Sequence, residues 1–403
     1  MSIYAFFSIF MNRLLTLIAF LQAIALPGFA QSGSYNLKFT LSEHNFADSI
    51  AIEMRDGRVI VPLAVGGRTR RFMLDTGAAQ AIVYTDSDIE GCKSAGSIKA
   101  YDALGQQNMV PLVVLPPVTL GRLTLTGLQA TVYERPKGLK EFDGIVGFDL
   151  ICKGIAMKID VENHLLVITD RKKHFAEESG FESRYKLRAW MHTPYLTLEP
   201  VRGYSEEALF DTGSNRLYAM GYQSAAQAMP RLLAANPAQL EGRATGSFAV
   251  GLHGREQEAE VVFLGLDSLV WGAFALRDVH TKTTQGNSYL GAGVLRYGAV
   301  TFLPWRRVVR FQPYEGGSSA LVANRQVEKV VSDVDGLPTV TFVWRRGKAF
   351  EAGLREGDVL LRVEGKELKN FDEYAHFRYL IGRVYTFVVR DPRGINKEVK
   401  MEW

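Results

Sequence analysis

The sequence has little cysteine, no block of like charges and, beyond its first thirty residues, no apolar run of membrane-spanning length. Two cysteines in 403 residues, Cys92 and Cys152, exclude a disulfide-stapled scaffold. They could form one bridge if their Cα atoms come within about 7 Å, and the spacing leaves that open. There is no Cys-x-x-Cys and no His-Glu-x-x-His, and the seven histidines are scattered, so no metal or cofactor is expected. The net charge of +4 is spread along the chain, with no run of about five or six basic residues to follow a phosphate backbone, so nucleic acid is not an expected partner. Long amphipathic helical stretches are also scarce. Apolar segments are short, carry Val, Phe, Tyr and Thr, and are punctuated by 38 glycines, which predicts a mainly β protein. Its length exceeds what one core usually organises, so two or three domains are expected.

The first thirty residues stand apart. Arg13 precedes the apolar stretch from Leu14 to Leu26, and Gly28-Phe29-Ala30 places small residues where a signal peptidase reads them. Residues 1–30 therefore read as a cleaved export signal, with Met11 a more regular start than Met1. The alternative is an uncleaved anchor running from Ile3 to Leu26 across Asn12 and Arg13. No cysteine follows the cleavage site to carry a lipid.

One tripeptide occurs twice, as Asp75-Thr76-Gly77 and Asp211-Thr212-Gly213, each after an apolar run, Phe72-Met73-Leu74 and Ala208-Leu209-Phe210. At ordinary residue frequencies this tripeptide is expected at roughly 2 in 10,000 positions, so chance explains two copies poorly. Their surroundings repeat as well. Arg58 to Leu74 reads as a hairpin turning at Gly66-Gly67, and Tyr195-Leu196-Thr197-Leu198 with Ala208-Leu209-Phe210 as its counterpart. Ile98 to Val114 forms a projecting hairpin with Asp102-Ala103-Leu104-Gly105 at its tip; Phe248 to Val262 supplies a second, with Leu252-His253-Gly254-Arg255. Gly147 and Gly154 match Gly291 and Gly298 at one constant offset, and Ala156-Met157-Lys158-Ile159 matches Val300-Thr301-Phe302-Leu303. The second copy carries an insertion in which Gln223 to Leu240 reads as a helix. Two like lobes are thus expected, over 31–178 and 179–316. Pro313 to Ser319, with Gly316-Gly317-Ser318-Ser319, reads as a linker into a last domain, 317–403, where strands alternate with a helix over Asp372 to Leu380.

Two lobes that each offer one carboxylate suggest a two-fold arrangement with Asp75 facing Asp211. Carboxylates about 3 Å apart cannot both ionise, so the pair shares a proton and becomes an acid and a base together. The ionised member can deprotonate water while the protonated one hydrogen-bonds an amide carbonyl, which is hydrolysis without a covalent intermediate. Gly77 and Gly213 let backbone N–H groups approach the carboxylates, and Thr76 and Thr212 can bond across to the opposite loop. The fourth position differs, Ala78 against Ser214. A serine hydroxyl donating to its carboxylate favours the ionised form, so the loss of one such serine predicts activity at mildly acidic to near-neutral pH.

On these residues, together with Ile145-Val146-Gly147 and Tyr289-Leu290-Gly291, the chain from about Tyr35 to Gln312 resembles the aspartic proteases, and more closely their bacterial retropepsin-like branch. The resemblance implies a two-lobed β-barrel fold, Asp75 and Asp211 as the catalytic pair, and a flap at Asp102, Ala103, Leu104 and Gly105. Retropepsins usually carry one such Asp per chain and dimerise; with both present, a monomer with a complete site is expected. Ala352-Gly353-Leu354-Arg355-Glu356-Gly357-Asp358-Val359-Leu360, followed by Val363-Glu364-Gly365-Lys366, resembles a bacterial PDZ domain, an α+β module that takes a peptide as an added strand. Ser319-Ala320-Leu321-Val322 is the nearest candidate for its carboxylate loop, and docking of this domain on the lobes is the alternative to ligand capture. The reading is an exported endopeptidase acting on polypeptides in the bacterial periplasm or outside the cell. A peptide-binding protein without catalysis, using both the cleft and the PDZ groove, is the competing reading. No single stretch defines a side-chain pocket.

Overall fold

The structure, a computed structural model, describes residues 37–101, 107–135, 142–188, 192–246, 250–251, 254–255, 259–322, 328–345, 347–377, 379–380 and 382–402. Residues 1–30, expected as an export signal, and residues 102–105, expected as the flap tip, lie outside them. As expected, the protein is mainly β; its strands form two lobes and a smaller separate sheet.

In the first lobe, strands Arg58–Val65 and Arg68–Leu74 form the expected hairpin. Gly66 and Gly67 both have positive φ, 58° and 73°, the backbone that a two-residue hairpin turn needs and glycine supplies without strain. Side chains alternate along both strands. Val59, Val61, Leu63, Phe72 and Leu74 fill the barrel interior, whereas Ile60 and Met73 join a separate apolar layer on the other face with Ile82, Tyr84 and Val110. Strands Lys93–Tyr101 and Gln107–Val114 pair and project from the lobe beside that layer.

The second lobe repeats this plan around Pro194–Val201 and Tyr204–Asp211. Its projecting hairpin is longer than expected, with Leu240–Gly246 pairing against Ala259–Trp271, and the inserted helix spans Tyr222–Ala235. The lobes are fused through one sheet, ordered Phe181–Leu187, Val308–Pro313, Gly298–Leu303, Ala156–Asp160, Leu165–Thr169 and Ala47–Ala51. At its centre Met157 pairs with Phe302 and Lys158 with Thr301. By the sequence repeat Met157 corresponds to Thr301 and Lys158 to Phe302. This exchange of partners is what a two-fold axis between two equivalent strands produces.

Three expectations need correction. The linker is shorter than the composition suggests, because Ser319–Leu321 adds as a parallel strand to Phe274–Thr284, and Val322 is buried in the lobe core. The reason lies in the lobe: Tyr218–Gly221 covers only the Thr283–Thr284 end of that long strand, leaving backbone groups at Ala275–Arg277 to be paired. Residues 319–322 thus belong to the lobe sheet and not to a carboxylate loop. The helix expected over 372–380 stops at Ala375, because the chain turns to pack Phe377 and Tyr379 on Tyr385, whose hydroxyl accepts the Leu380 N–H at 2.8 Å. The pairing of Cys92 with Cys152, which the sequence leaves open, does not form, and both are free thiols.

The third domain is a sheet of Lys329–Val334, Leu337–Val343, Val359–Val363, Val384–Arg390 and Asn396–Glu402 with its own core around Val340, Leu360 and Phe387. Its first hairpin packs on the second lobe. Phe342 stacks on Phe263 with ring centres 4.0 Å apart, and a Cβ on Gly242 would lie 2.4 Å from the Phe342 ring.

Candidate active site

Each Asp arrives at the end of a strand that runs parallel to a three-residue strand of its own lobe. Phe72, Met73 and Leu74 pair with Gly144, Ile145 and Val146; Leu209, Phe210 and Asp211 pair with Tyr289, Leu290 and Gly291. Beyond each short strand the chain crosses behind the Asp loop, where Phe148 N–H donates to Ala78 O and Ala292 N–H to Ser214 O, both at 2.8 Å. The crossings explain the glycines that the sequence repeats. A Cβ on Gly147 would sit 2.5 Å from the Gln80 backbone, and one on Gly291 would sit 2.2 Å from Arg216 O.

The two loops are locked to each other. Thr76 N–H donates to Thr212 Oγ1 at 3.0 Å and Thr76 Oγ1 donates to Phe210 O at 2.6 Å; in mirror image, Thr212 N–H donates to Thr76 Oγ1 at 3.1 Å and Thr212 Oγ1 to Leu74 O at 2.7 Å. Both threonines are buried, so these bonds form away from competing water. The lock carries the carboxyl groups of Asp75 and Asp211 into hydrogen-bond contact. A Cβ on Gly77 would lie 2.7 Å from Asp211 Oδ1, and one on Gly213 would lie 2.5 Å from Asp75 Cγ. Each glycine therefore makes room for the carboxyl group of the other lobe.

The loops hold their carboxylates alike. Asp75 Oδ1 accepts from Gly77 N at 2.8 Å and Ala78 N at 3.1 Å; Asp211 Oδ1 accepts from Gly213 N at 3.0 Å and Ser214 N at 3.3 Å. Desolvation raises both acids above the usual carboxylate range. For Asp75, the Asp211 charge and the shared hydrogen bond push further up, against the two N–H groups. For Asp211, the hydrogen bond from Asp75, its own two N–H groups and the charge of Arg58 pull back down.

The expected Ser214 contribution is absent. Its Oγ accepts the Arg216 N–H at 3.4 Å, and among the described residues it makes no bond to Asp211, because the Ser214 backbone N–H already occupies the Oδ1 position. What distinguishes the halves is instead Arg58, whose Nε donates to Gly213 O across the lobes at 3.2 Å. Two tyrosines also flank the pair. Tyr84 lies under Arg135 at 4.6 Å, and its hydroxyl is pushed up by burial and then by the Asp75 charge. Tyr195 lies under Arg188 at 3.9 Å, and its hydroxyl is pushed up by burial, with the Asp211 charge adding to it and Arg188 opposing. Sequence reading did not select these three. Tyr195 could have been found, since it stands at the head of a strand that the repeat identified.

The apolar layer of Ile60, Met73, Ile82 and Tyr84, with Ala78, Ile98 and Ala100 against it, extends from the first Asp loop to the projecting hairpin.

Residues 61–150, which contain the first Asp loop and the Ile145-Val146-Gly147 segment behind it, match the family model described as aspartyl protease. Among solved structures, the chain is similar to the aspartic proteinase from Irpex lacteus at 13% identity, with 66% of this chain and 97% of that chain covered and a TM-score of 0.43. No curated protein matches the chain.

Proposed function

We propose that this chain is an aspartic endopeptidase whose single-chain site is the Asp75–Asp211 pair. The observation that carries the reading is the pair itself: two partly buried carboxyl groups from two lobes, brought side by side by four crossed threonine bonds, with desolvation raising both acids. The aspartyl protease match over 61–150 supports it for the first loop. Asp211, ionised, takes a proton from a water between the carboxyls as that water adds to the scissile carbonyl carbon. Asp75 gives its proton to the carbonyl oxygen, forming a neutral diol. Asp211 then passes its proton to the amide nitrogen as the C–N bond breaks, and a diol proton returns to Asp75. The substrate is an extended polypeptide lying along the apolar layer beside the paired strands Lys93–Tyr101 and Gln107–Val114.

The reading also includes export through residues 1–30, action as a monomer, and a PDZ-type third domain that docks a peptide or protein partner. Asp358 of its motif is fully buried, pairing with Lys397 at 2.8 Å and accepting the Arg355 N–H at 2.8 Å, so that residue closes a turn. The test is cleavage of an unfolded polypeptide across pH 3 to 8 by wild type, Asp75→Asn and Asp211→Asn. Cleavage by wild type alone is expected; an inactive wild type overturns the proposal.

A further inference from the structure

The two Asp loops are near copies in every contact so far described, and a symmetrical pair has no preference for which carboxyl keeps the proton. One charged side chain breaks that symmetry. Arg58 belongs to the first lobe but reaches the second loop, where Nε donates to Gly213 O. Its turn is anchored there as well: Asn215 Nδ2 donates to Asp56 O at 3.1 Å, and Gly57, at φ +74°, lies against the Asn215 side chain. Among the described residues the Gly213 bond is its only hydrogen bond and no carboxylate ion-pairs with it, so its charge is not cancelled locally.

Among the described residues the other lobe offers no equivalent cation. Ile60 pairs with Met73, two residues before Asp75, and Tyr195 pairs with Leu209, two before Asp211. Counting back from these, Arg58 corresponds to Thr193, which is neutral and buried. The remaining titratable neighbours do not supply the asymmetry. Tyr84 on the Asp75 side and Tyr195 on the Asp211 side are both neutral hydroxyls, and the cations above them, Arg135 and Arg188, are paired with Asp86 at 2.8 Å and Glu207 at 4.0 Å.

We infer that Arg58 is a positioning residue that polarises the pair, holding negative charge on Asp211 and leaving the proton on Asp75, so that Asp211 is the base toward water and Asp75 the acid toward the carbonyl. This rests on reading the pair as catalytic.

The test is a pH titration of the Asp carboxyl carbons by NMR in the full chain, assigned with Asp75→Asn and Asp211→Asn, alongside kcat/KM against pH for peptide cleavage. In wild type the Asp211 signal should carry the larger change at the lower step. Arg58→Gln should move that step, and the acid limb of kcat/KM, upward by about one pH unit, while Arg58→Lys keeps both near wild type. A wild-type titration in which Asp75 moves first, or in which the two signals move equally, overturns the inference without any Arg58 variant. So does an Arg58→Gln enzyme that is slower at every pH with its limb unmoved, since that is the mark of a merely structural bond to Gly213. Failure of the protease reading looks different: wild type cleaves nothing at any pH, whatever the titration order.

Discussion

The crossed threonines give the most direct test of what holds the site together. Thr76→Val keeps the shape of the side chain and removes its hydroxyl, so two groups lose their partner, the Thr212 N–H and the Phe210 carbonyl. Both threonines are buried, at 1% and 0% exposure, and water cannot replace the hydroxyl without opening the junction. A buried polar group left unsatisfied costs about 1–3 kcal/mol, so the substitution should destabilise the junction by roughly 2–5 kcal/mol. The other half of the lock survives, because Thr212 Oγ1 still bonds Leu74 O and the Thr76 N–H. Thr76→Ser is the control: it keeps the hydroxyl and loses one methyl group, worth about 1 kcal/mol. The third domain has a core of its own, so a whole-chain unfolding signal would mix transitions, and amide hydrogen exchange at Thr212 is the sharper readout. Protection there should fall by roughly thirtyfold or more in Thr76→Val and much less in Thr76→Ser. If valine and serine give the same loss, the crossed bonds do not hold the lobes in register and the argument for a preorganised pair fails.

Gly213→Ala should reduce kcat by about a hundredfold or more with the circular dichroism unchanged, since its Cβ would lie 2.5 Å from Asp75 Cγ and must push the carboxyl groups apart. Full activity in this variant would show that carboxyl contact is dispensable. Asp75 has a raised pKa in the folded protein, so its protonated form stabilises the fold fully below the unfolded value near 3.8, and that stability is lost as pH rises through the folded value. Asp75→Asn should therefore raise the urea midpoint of the lobe transition, followed by exchange at the Thr212 amide, at about pH 7 and leave it unchanged at about pH 3; a gain confined to acid would reverse the sign of the argument. Phe342→Ala removes the ring stacked on Phe263 at 4.0 Å and should release the third domain from the second lobe, seen as a larger radius of gyration in X-ray scattering. An unchanged radius would mean that contacts such as Ser332 Oγ to Thr245 O at 3.3 Å suffice to hold it.

Much of the site is written in short-range pattern. A strand that alternates, turns on two glycines and ends in Asp needs only local chemistry to be recognised, and the glycines behind each loop repeat because the crossing backbone excludes a side chain there. Arg58 could not be found this way. It lies three residues from Arg55, a similar arginine that pairs with Glu53 on the surface, and its role depends on a carbonyl 155 positions further along. Ser214 misled for the complementary reason. Its residue type fits donation to the carboxylate, but the turn gives that place to its own backbone. Ser319–Leu321 resembled the end of a linker and the start of a carboxylate loop because a three-residue strand has no periodicity of its own, and the long partner strand determines its pairing.

The exchanged pairing of Met157 with Phe302 and Lys158 with Thr301 shows that the lobes meet as two subunits of a symmetrical dimer would, yet they are one chain. That difference bears on the chemistry. In a true two-fold dimer every residue beside one carboxyl recurs beside the other, so an arginine near one Asp has a twin near its mate, and the two charges cancel as a source of preference. Joining the halves in one chain removes that constraint. The second copy can carry buried Thr193 where the first carries Arg58, and the proton then has a definite place before substrate arrives. The threonine lock, by contrast, works only if both halves match, because each hydroxyl serves the other lobe's backbone. Symmetry is thus retained where the lobes hold each other and absent at Arg58, the charged position that tells Asp75 from Asp211.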